Sequence, residues 1–200
     1  MGQRIVIVNT GCANISSVRF ALERLGVSVE VSSVDKVIKS ADKVFLPGVG
    51  SAFAAMQSIE AKNLTATLQQ LTQPVLGVCL GMQLMVESSA ESRDGNVNCL
   101  GLMPGRVERL KAGDLRLPHM GWNTVKAQSD SPLFTGIPDD TYFYFVHSFA
   151  VPVYERTLAS CEYGQPFSAA LEYKNYFGVQ FHPERSGEAG AQLLTNFVNM

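Results

Sequence analysis

The stretch Pro74–Met85, PVLGVCLGMQLM, decides how the chain reads. Its first half, PVLGV, is an apolar run of strand length, and LGMQLM continues with residues that suit a helix. Cys79 stands at the junction, with Gly77 two residues before it and Gly81 two residues after it. That spacing is the G-x-nucleophile-x-G form of a strand-to-helix elbow, whose sharp turn leaves room only for small flanking residues. If a helix starts there, its positive end favours the reactive thiolate. The N–H of Leu80 then lacks an intrahelical partner and is free to donate to a developing oxyanion. A cysteine in an apolar segment is also a common small core residue, so the local motif leaves both readings open.

Upstream of the elbow the chain alternates strand and helix patterns. RIVIVNT reads as a strand buried on both faces, which is the habit of parallel sheets. In ISSVRFALERLG, Ile15, Val18, Leu22 and Leu25 recur at helical spacing, Asn14 stands where a cap belongs, and Gly26 closes the run. VSVEVSS and KVFLP read as strands, and VDKVIKSA, GSAFAAMQSIEAKNL and TATLQQLT as helices. Downstream, from about Gly101 to Gly178, RVERL, NTVKA, YFYFVHSFAVPV, TLASCEYG and SAALEYKN read as antiparallel strands added to one edge. YFGVQFHPE is a last strand, and SGEAGAQLLTNFVNM a closing helix with Ser186 as its cap. The expectation is a three-layer α/β fold: an open, mostly parallel sheet with helices on both faces and an antiparallel β extension. No linker or repeat divides the chain, so residues 1–200 read as one domain.

Composition narrows the function classes. A hydrophobic share of 46% with 17% charged residues describes an ordinary globular chain. A net charge of −2 supplies no footprint for nucleic acid or an anionic membrane. No window approaches the ~18 apolar residues of a membrane span, and the amino-terminal MGQRIVIVNTG reads as a strand and not a signal peptide. The four cysteines are sparse and unpaired in spacing, which argues against a disulfide framework or zinc site and for a reducing cytoplasm.

The chain holds three histidines. His182 ends an apolar strand in QFHPE, so it shares the carboxyl-end rim with Cys79 if that strand joins the sheet, and ligands of open parallel sheets bind at that rim. Pro183 biases His182 toward extended backbone, where residues two apart point the same way, so Glu184 can orient the imidazole. Nucleophile, base and carboxylate form a triad recognised by role. LPGVGSAF offers loop amides at Gly48, Val49 and Gly50 as a second oxyanion donor. It could instead hold a phosphate, although the lysine and spacing of a Walker loop are absent.

Together, GVCLGMQ, PGVG and QFHPE resemble the class I (triad) glutamine amidotransferases. LPHMGWN and YFVHS narrow the resemblance to the glutaminase subunits of imidazole glycerol phosphate synthases, from TGCAN to FHPERSG. The resemblance implies a flavodoxin-like core and no cofactor or metal. It implies that Cys79 attacks the side-chain amide of L-glutamine to form a thioester, with His182 relaying protons and Glu184 orienting it. Val49, after a peptide flip, and Leu80 would form the oxyanion hole. Gly48, Gly50 and Gln83 would contact the substrate, and the backbone of His147, Ser148 and Phe149 would hold its α-amino and carboxylate ends. Ammonia would pass to a (β/α)₈-barrel cyclase partner in a one-to-one heterodimer. Asn14, Met120 and Trp122 would lie at that interface, the last two in a surface turn. Asn14 also reads as a plain helix cap, and Trp122 as a core residue. Ala13 in GCAN departs from the glycine of many relatives. Two other readings compete: a subunit feeding another synthase, against which LPHMGWN argues, and a redox-sensing module, which has no need for HPE.

Overall fold

The apolar runs of the first half are strands with no water-facing side, and helices cover both of their faces. A computed structural model describes residues 2–92, 94–128 and 130–200. Strand β1 (Ile5–Val8), helix α1 (Ile15–Arg24), β2 (Val29–Ser32), α2 (Asp35–Lys39) and β3 (Lys43–Gly48) open the chain. Helices α3 (Ala52–Ala61) and α4 (Thr65–Gln69), strand β4 (Val75–Cys79) and helix α5 (Leu80–Met85) follow. Three strands of two to four residues come next: β5 (Ser88–Ser89), β6 (Val97–Asn98) and β7 (Arg106–Arg109). The chain then runs through β8 (His119–Ala127), β9 (Thr141–His147), β10 (Phe149–Ala150), β11 (Thr157–Glu162), β12 (Pro166–Tyr173) and β13 (Tyr176–Val179). Helix α6 (Gly187–Asn199) closes it.

Among the described residues one sheet of nine strands runs β2-β1-β3-β4-β13-β12-β11-β8-β9. The β2-β1-β3-β4-β13 half is parallel and the rest antiparallel, so the expected extension lies on one edge. Helices α1 and α6 bury Val18, Leu22, Leu193 and Phe197 against one face. Helices α2 to α5 bury Ile38, Ile59, Leu68 and Met82 against the other. Fully burying such a side chain contributes about 1.5–3 kcal/mol each, which is why these faces close. A smaller sheet, β10-β7-β5-β6, sits beside this frame.

Four readings need correction. YFYFVHSFAVPV is not one strand: it leaves the large sheet after His147 and enters the small one at Phe149, with Ser148 at the bend. Met120 and Trp122 are not in a turn but on β8, because LPHMGWN pairs across to β9 with Trp122 opposite Tyr144. Trp122 is 55% exposed and so is not a core residue. Ser186 precedes α6 without capping it; its hydroxyl donates to the His182 carbonyl and accepts from the Tyr144 amide.

The register places the site. β3, β4 and β13 lie side by side, with Gly48 opposite Cys79 and Val78 opposite Val179. The PGVG loop, the elbow and QFHPE therefore emerge together at one carboxyl-end rim.

Candidate active site

Glycine sets the elbow. Helix α5 lies directly on the three central strands, and a Cβ at Gly81 would sit 1.8 Å from the Leu46 carbonyl oxygen. A Cβ at Gly77 would come within 2.8 Å of the Gly81 backbone, and one at Gly178 within 2.4 Å of Met82 Cγ. Only bare backbone allows this approach. Cys79 takes φ +54°, a conformation that side chains rarely adopt, and the helix starts at the next residue. Strain of this kind persists where surrounding packing enforces it, and it clusters at functional sites.

The sulfur sits at the floor of a cavity of about 290 Å³ that Leu80, Gln83, Val146 and His182 also line. That is a small volume beside the ~300–1,000 Å³ of typical ligand pockets and suits a molecule the size of an amino acid. As a thiol, Cys79 has the Val146 carbonyl at 4.0 Å as its acceptor; the side-chain amide of Gln180 stands 3.8 Å from the sulfur as a donor.

His182 Nδ1 donates to Glu184 Oε1 at 2.7 Å, which turns the other ring nitrogen, Nε2, away from the carboxylate. That nitrogen is buried and makes no hydrogen bond among the described residues, nor does Glu184 Oε2. The carboxylate arrives by a different route from the one expected. Pro183–Arg185 is a short 3₁₀ turn, not extended chain, and it folds Glu184 back onto the ring. The His182 N–H donates to the Tyr144 carbonyl at 2.9 Å and ties this turn to β9. Burial disfavours the charged imidazole, but the neighbouring Cys79 sulfur and Glu184 carboxylate outweigh it and push the ring up to about 10.

Of the expected substrate contacts, Gly50, Gln83, His147, Ser148 and Phe149 line the cavity. Gly48 does not. It lies under the elbow, where a Cβ would meet the Gly81 nitrogen at 2.7 Å. Val49 lines the cavity, and its N–H donates to the Cys12 carbonyl at 3.1 Å, so its expected service as an oxyanion donor requires the peptide flip. A loop amide takes the nearest carbonyl it can reach, and here the first βα loop supplies one. Leu80, at the start of α5, does line the cavity. Asn14 also lines it and accepts from the Ser17 N–H at 3.4 Å, so it caps α1 as well.

Behind the cavity a buried chain fixes the histidine tautomers. His147 Nδ1 lies 2.9 Å from the Phe149 carbonyl, which only accepts, so Nδ1 carries the proton. His147 Nε2 then accepts from His119 Nδ1 at 2.9 Å, and His119 Nε2 accepts from Asn123 Nδ2 at 3.2 Å. Asn123 Nδ2 also donates to the Glu162 carbonyl. Both rings are neutral in this arrangement, and burial lowers His119 to about 4 and His147 to about 3. The pair exists because His119 stands directly opposite His147 in the β8–β9 ladder. On the other face of that ladder Met120, Trp122 and Tyr142 are 63%, 55% and 59% exposed.

Sequence reasoning missed Val146, Glu91 and Arg185 in the cavity lining and Gln180 beside the sulfur. Gln180 and His182 are two residues apart, so the period-2 argument applied to Glu184 would have found Gln180. Glu91 lines the cavity from irregular backbone, with no spacing signal; burial raises its carboxyl, and the Ala52 amide pulls it partly back. Arg185 lines the cavity from within the HPER turn.

An elbow cysteine, an oriented histidine and a parallel-sheet rim define a class, and residues 6–200 match the family model of glutamine amidotransferase class-I. The chain belongs to the class I glutamine amidotransferases. It is 55% identical over 203 residues, covering 100% of both chains, to the imidazole glycerol phosphate synthase subunit HisH of Vibrio cholerae. It is 57% identical to the HisH subunit of Mannheimia succiniciproducens, over 97% of this chain and 98% of that one. In fold it is similar to PurLQS from Thermotoga maritima, with a TM-score of 0.72 at 19% identity, covering 100% of this chain and 99% of that one. A glutamine amidotransferase of the same organism gives 0.67 at 18% identity, covering 100% and 84%.

Proposed function

We propose that the chain is the glutaminase subunit of an imidazole glycerol phosphate synthase, acting as one domain through Cys79, His182 and Glu184. The observation that carries this reading is the meeting of an elbow cysteine with a Glu184-oriented His182 at a cavity of amino-acid size.

In this reading the Cys79 thiolate adds to the side-chain carbonyl carbon of L-glutamine, and the carbonyl oxygen takes the negative charge. The Leu80 N–H donates to that oxygen, and a flip of the Gly48–Val49 peptide, breaking the bond to Cys12, brings the second donor. His182, held charged beside Cys79 and Glu184, gives its Nε2 proton to the leaving nitrogen, and ammonia departs from a glutamyl thioester. The neutral ring then takes a proton from water, hydroxide adds to the thioester, and glutamate leaves as Cys79 regains the thiolate. Glu91 offers an anionic partner for the substrate's α-ammonium group, and the Ser148 bend offers backbone groups for its carboxylate.

The exposed Met120, Trp122 and Tyr142 supply the large apolar residues that interfaces favour, and this face receives the barrel-shaped cyclase that consumes the ammonia. Among the described residues no helix is long and apolar enough to cross a membrane, and we infer a cytoplasmic enzyme.

The test uses the complex with its cyclase. Cys79→Ser should lose glutamine-dependent synthesis while ammonia-dependent synthesis continues, and a glutamine-like diazoketone label should modify Cys79. Glutamine-dependent turnover at the wild-type rate in Cys79→Ser refutes the assignment.

A further inference from the structure

Beneath the nucleophile lies a buried amide pair that the triad does not use. Gln83 and Gln180 are 3% and 0% exposed, and the hydrogen-bond partners of their side chains are protein groups. Gln83 Nε2 stands 2.8 Å from the Phe149 carbonyl oxygen and 2.8 Å from Gln180 Oε1. The carbonyl only accepts, so this end of Gln83 must be its NH₂ group, and both of its hydrogens are committed. Gln180 therefore presents oxygen to Gln83 and, with no freedom to flip, its own NH₂ group to Cys79 Sγ at 3.8 Å.

The consequence depends on the charge of the sulfur. As a thiol it has the Val146 carbonyl as an acceptor at 4.0 Å. As a thiolate it can only accept, the Val146 oxygen repels it, and the Gln180 N–H becomes an attractive neutral donor. Hydrogen bonds to a charged partner exceed those to a neutral one. The thioester sulfur is neutral, so the interaction weakens on acylation and strengthens again as the thiolate departs. Such a donor favours the thiolate over the thiol before attack and stabilises the thiolate again as it leaves.

We propose that Gln180 is a positioning residue for the nucleophile: clamped by Gln83, its side-chain amide donates to the Cys79 thiolate and holds the sulfur under the cavity. This rests on the reading of Cys79 as the nucleophile.

Two substitutions separate this role from simple packing. Gln180→Met keeps the volume and removes both hydrogen bonds. Gln180→Glu keeps an acceptor for Gln83 but turns an acceptor toward the sulfur. The assay is the rate of iodoacetamide modification at Cys79, located by peptide mass and paired with kcat for glutamine in the cyclase complex. Gln180→Met should lower both about tenfold with little change in KM, and Gln180→Glu should lower them further. A packing role, in which volume is what matters, predicts near-wild-type rates for Gln180→Met, whereas Gln180→Glu buries a carboxyl group and is costly on either reading. Gln180→Met rates within twofold of wild type overturn the proposal. The wild-type protein offers a measurement that needs no Gln180 variant. The Gln180 side-chain N–H resonance should shift as the thiolate forms and should stay still in Cys79→Ala; a resonance that never moves also overturns it. Glutamine turnover surviving in Cys79→Ser would instead overturn the nucleophile assignment, leaving the contact between Gln180 and Cys79 intact.

Discussion

The neutral His119–His147 pair makes stability depend on pH with a sign that can be worked out. Burial lowers His119 to about 4 and His147 to about 3, while the unfolded chain titrates near 6.5. Between those values the unfolded chain binds more protons, so stability is complete above about pH 6.5 and erodes as the pH falls. Each missing proton is worth about 1.4 kcal/mol per pH unit once titration is well under way. Between pH 6 and 5, allowing for partial titration near 6.5, this gives about 1.2 kcal/mol per ring and roughly 2.4 for the pair. His182 moves the other way, up to about 10, but in this window it is largely charged in both states and adds little slope. The hydrogen-bond chain sharpens the effect. A proton on His147 Nε2 would face the one on His119 Nδ1, and reversing His119 would aim a second donor at Asn123. Urea unfolding at pH 6 and pH 5 measures the slope. With an m-value of roughly 2–3 kcal/mol/M the midpoint should fall by about 1 M. His119→Gln, which removes one titrating ring, should fall by about half as much. Equal falls in the two proteins, or a flat wild-type midpoint, would refute the assigned protonation states.

Two further outcomes follow from the elbow and the triad. Gly81→Ala puts a methyl 1.8 Å from the Leu46 oxygen, so α5 must move by more than an ångström; the cost should be about 3 kcal/mol in unfolding free energy and at least 100-fold in kcat, and a variant with wild-type melting and turnover would contradict the packing argument. Glu184→Gln keeps an acceptor for His182 Nδ1 but removes the charge that helps hold the ring protonated. The alkaline limb of the kcat profile in the cyclase complex should therefore move to lower pH, and an unmoved limb would assign the orientation to another group.

The parts of this molecule that were legible in its sequence are those in which a side chain, or the lack of one, is itself the signal. Gly77 and Gly81 announce the elbow because a Cβ at either position has no room, and the apolar run before Cys79 announces a strand buried on both faces. His182 and Glu184 were legible as a pair, though for an imperfect reason: the strand ends at Val179, before His182, and Pro183 opens a 3₁₀ turn in place of the extended segment that period-2 spacing assumes. What escaped has a different physical character. The His119–His147 contact depends on a cross-strand register set by a loop and hairpin 28 residues around, and no local pattern carries it. The direction of the Val49 amide belongs to the peptide plane and not to a residue type, so the oxyanion hole could be located by its loop but not read as formed or unformed. Gln180 lies between these extremes. Its position two residues before His182 was visible, yet a neutral amide becomes informative only when a carbonyl at Phe149 and a second glutamine at 83 remove its freedom to turn. Sequence patterns thus locate the groups that do chemistry, whereas the groups that aim them are identified by hydrogen bonds whose donor and acceptor ends can each be decided.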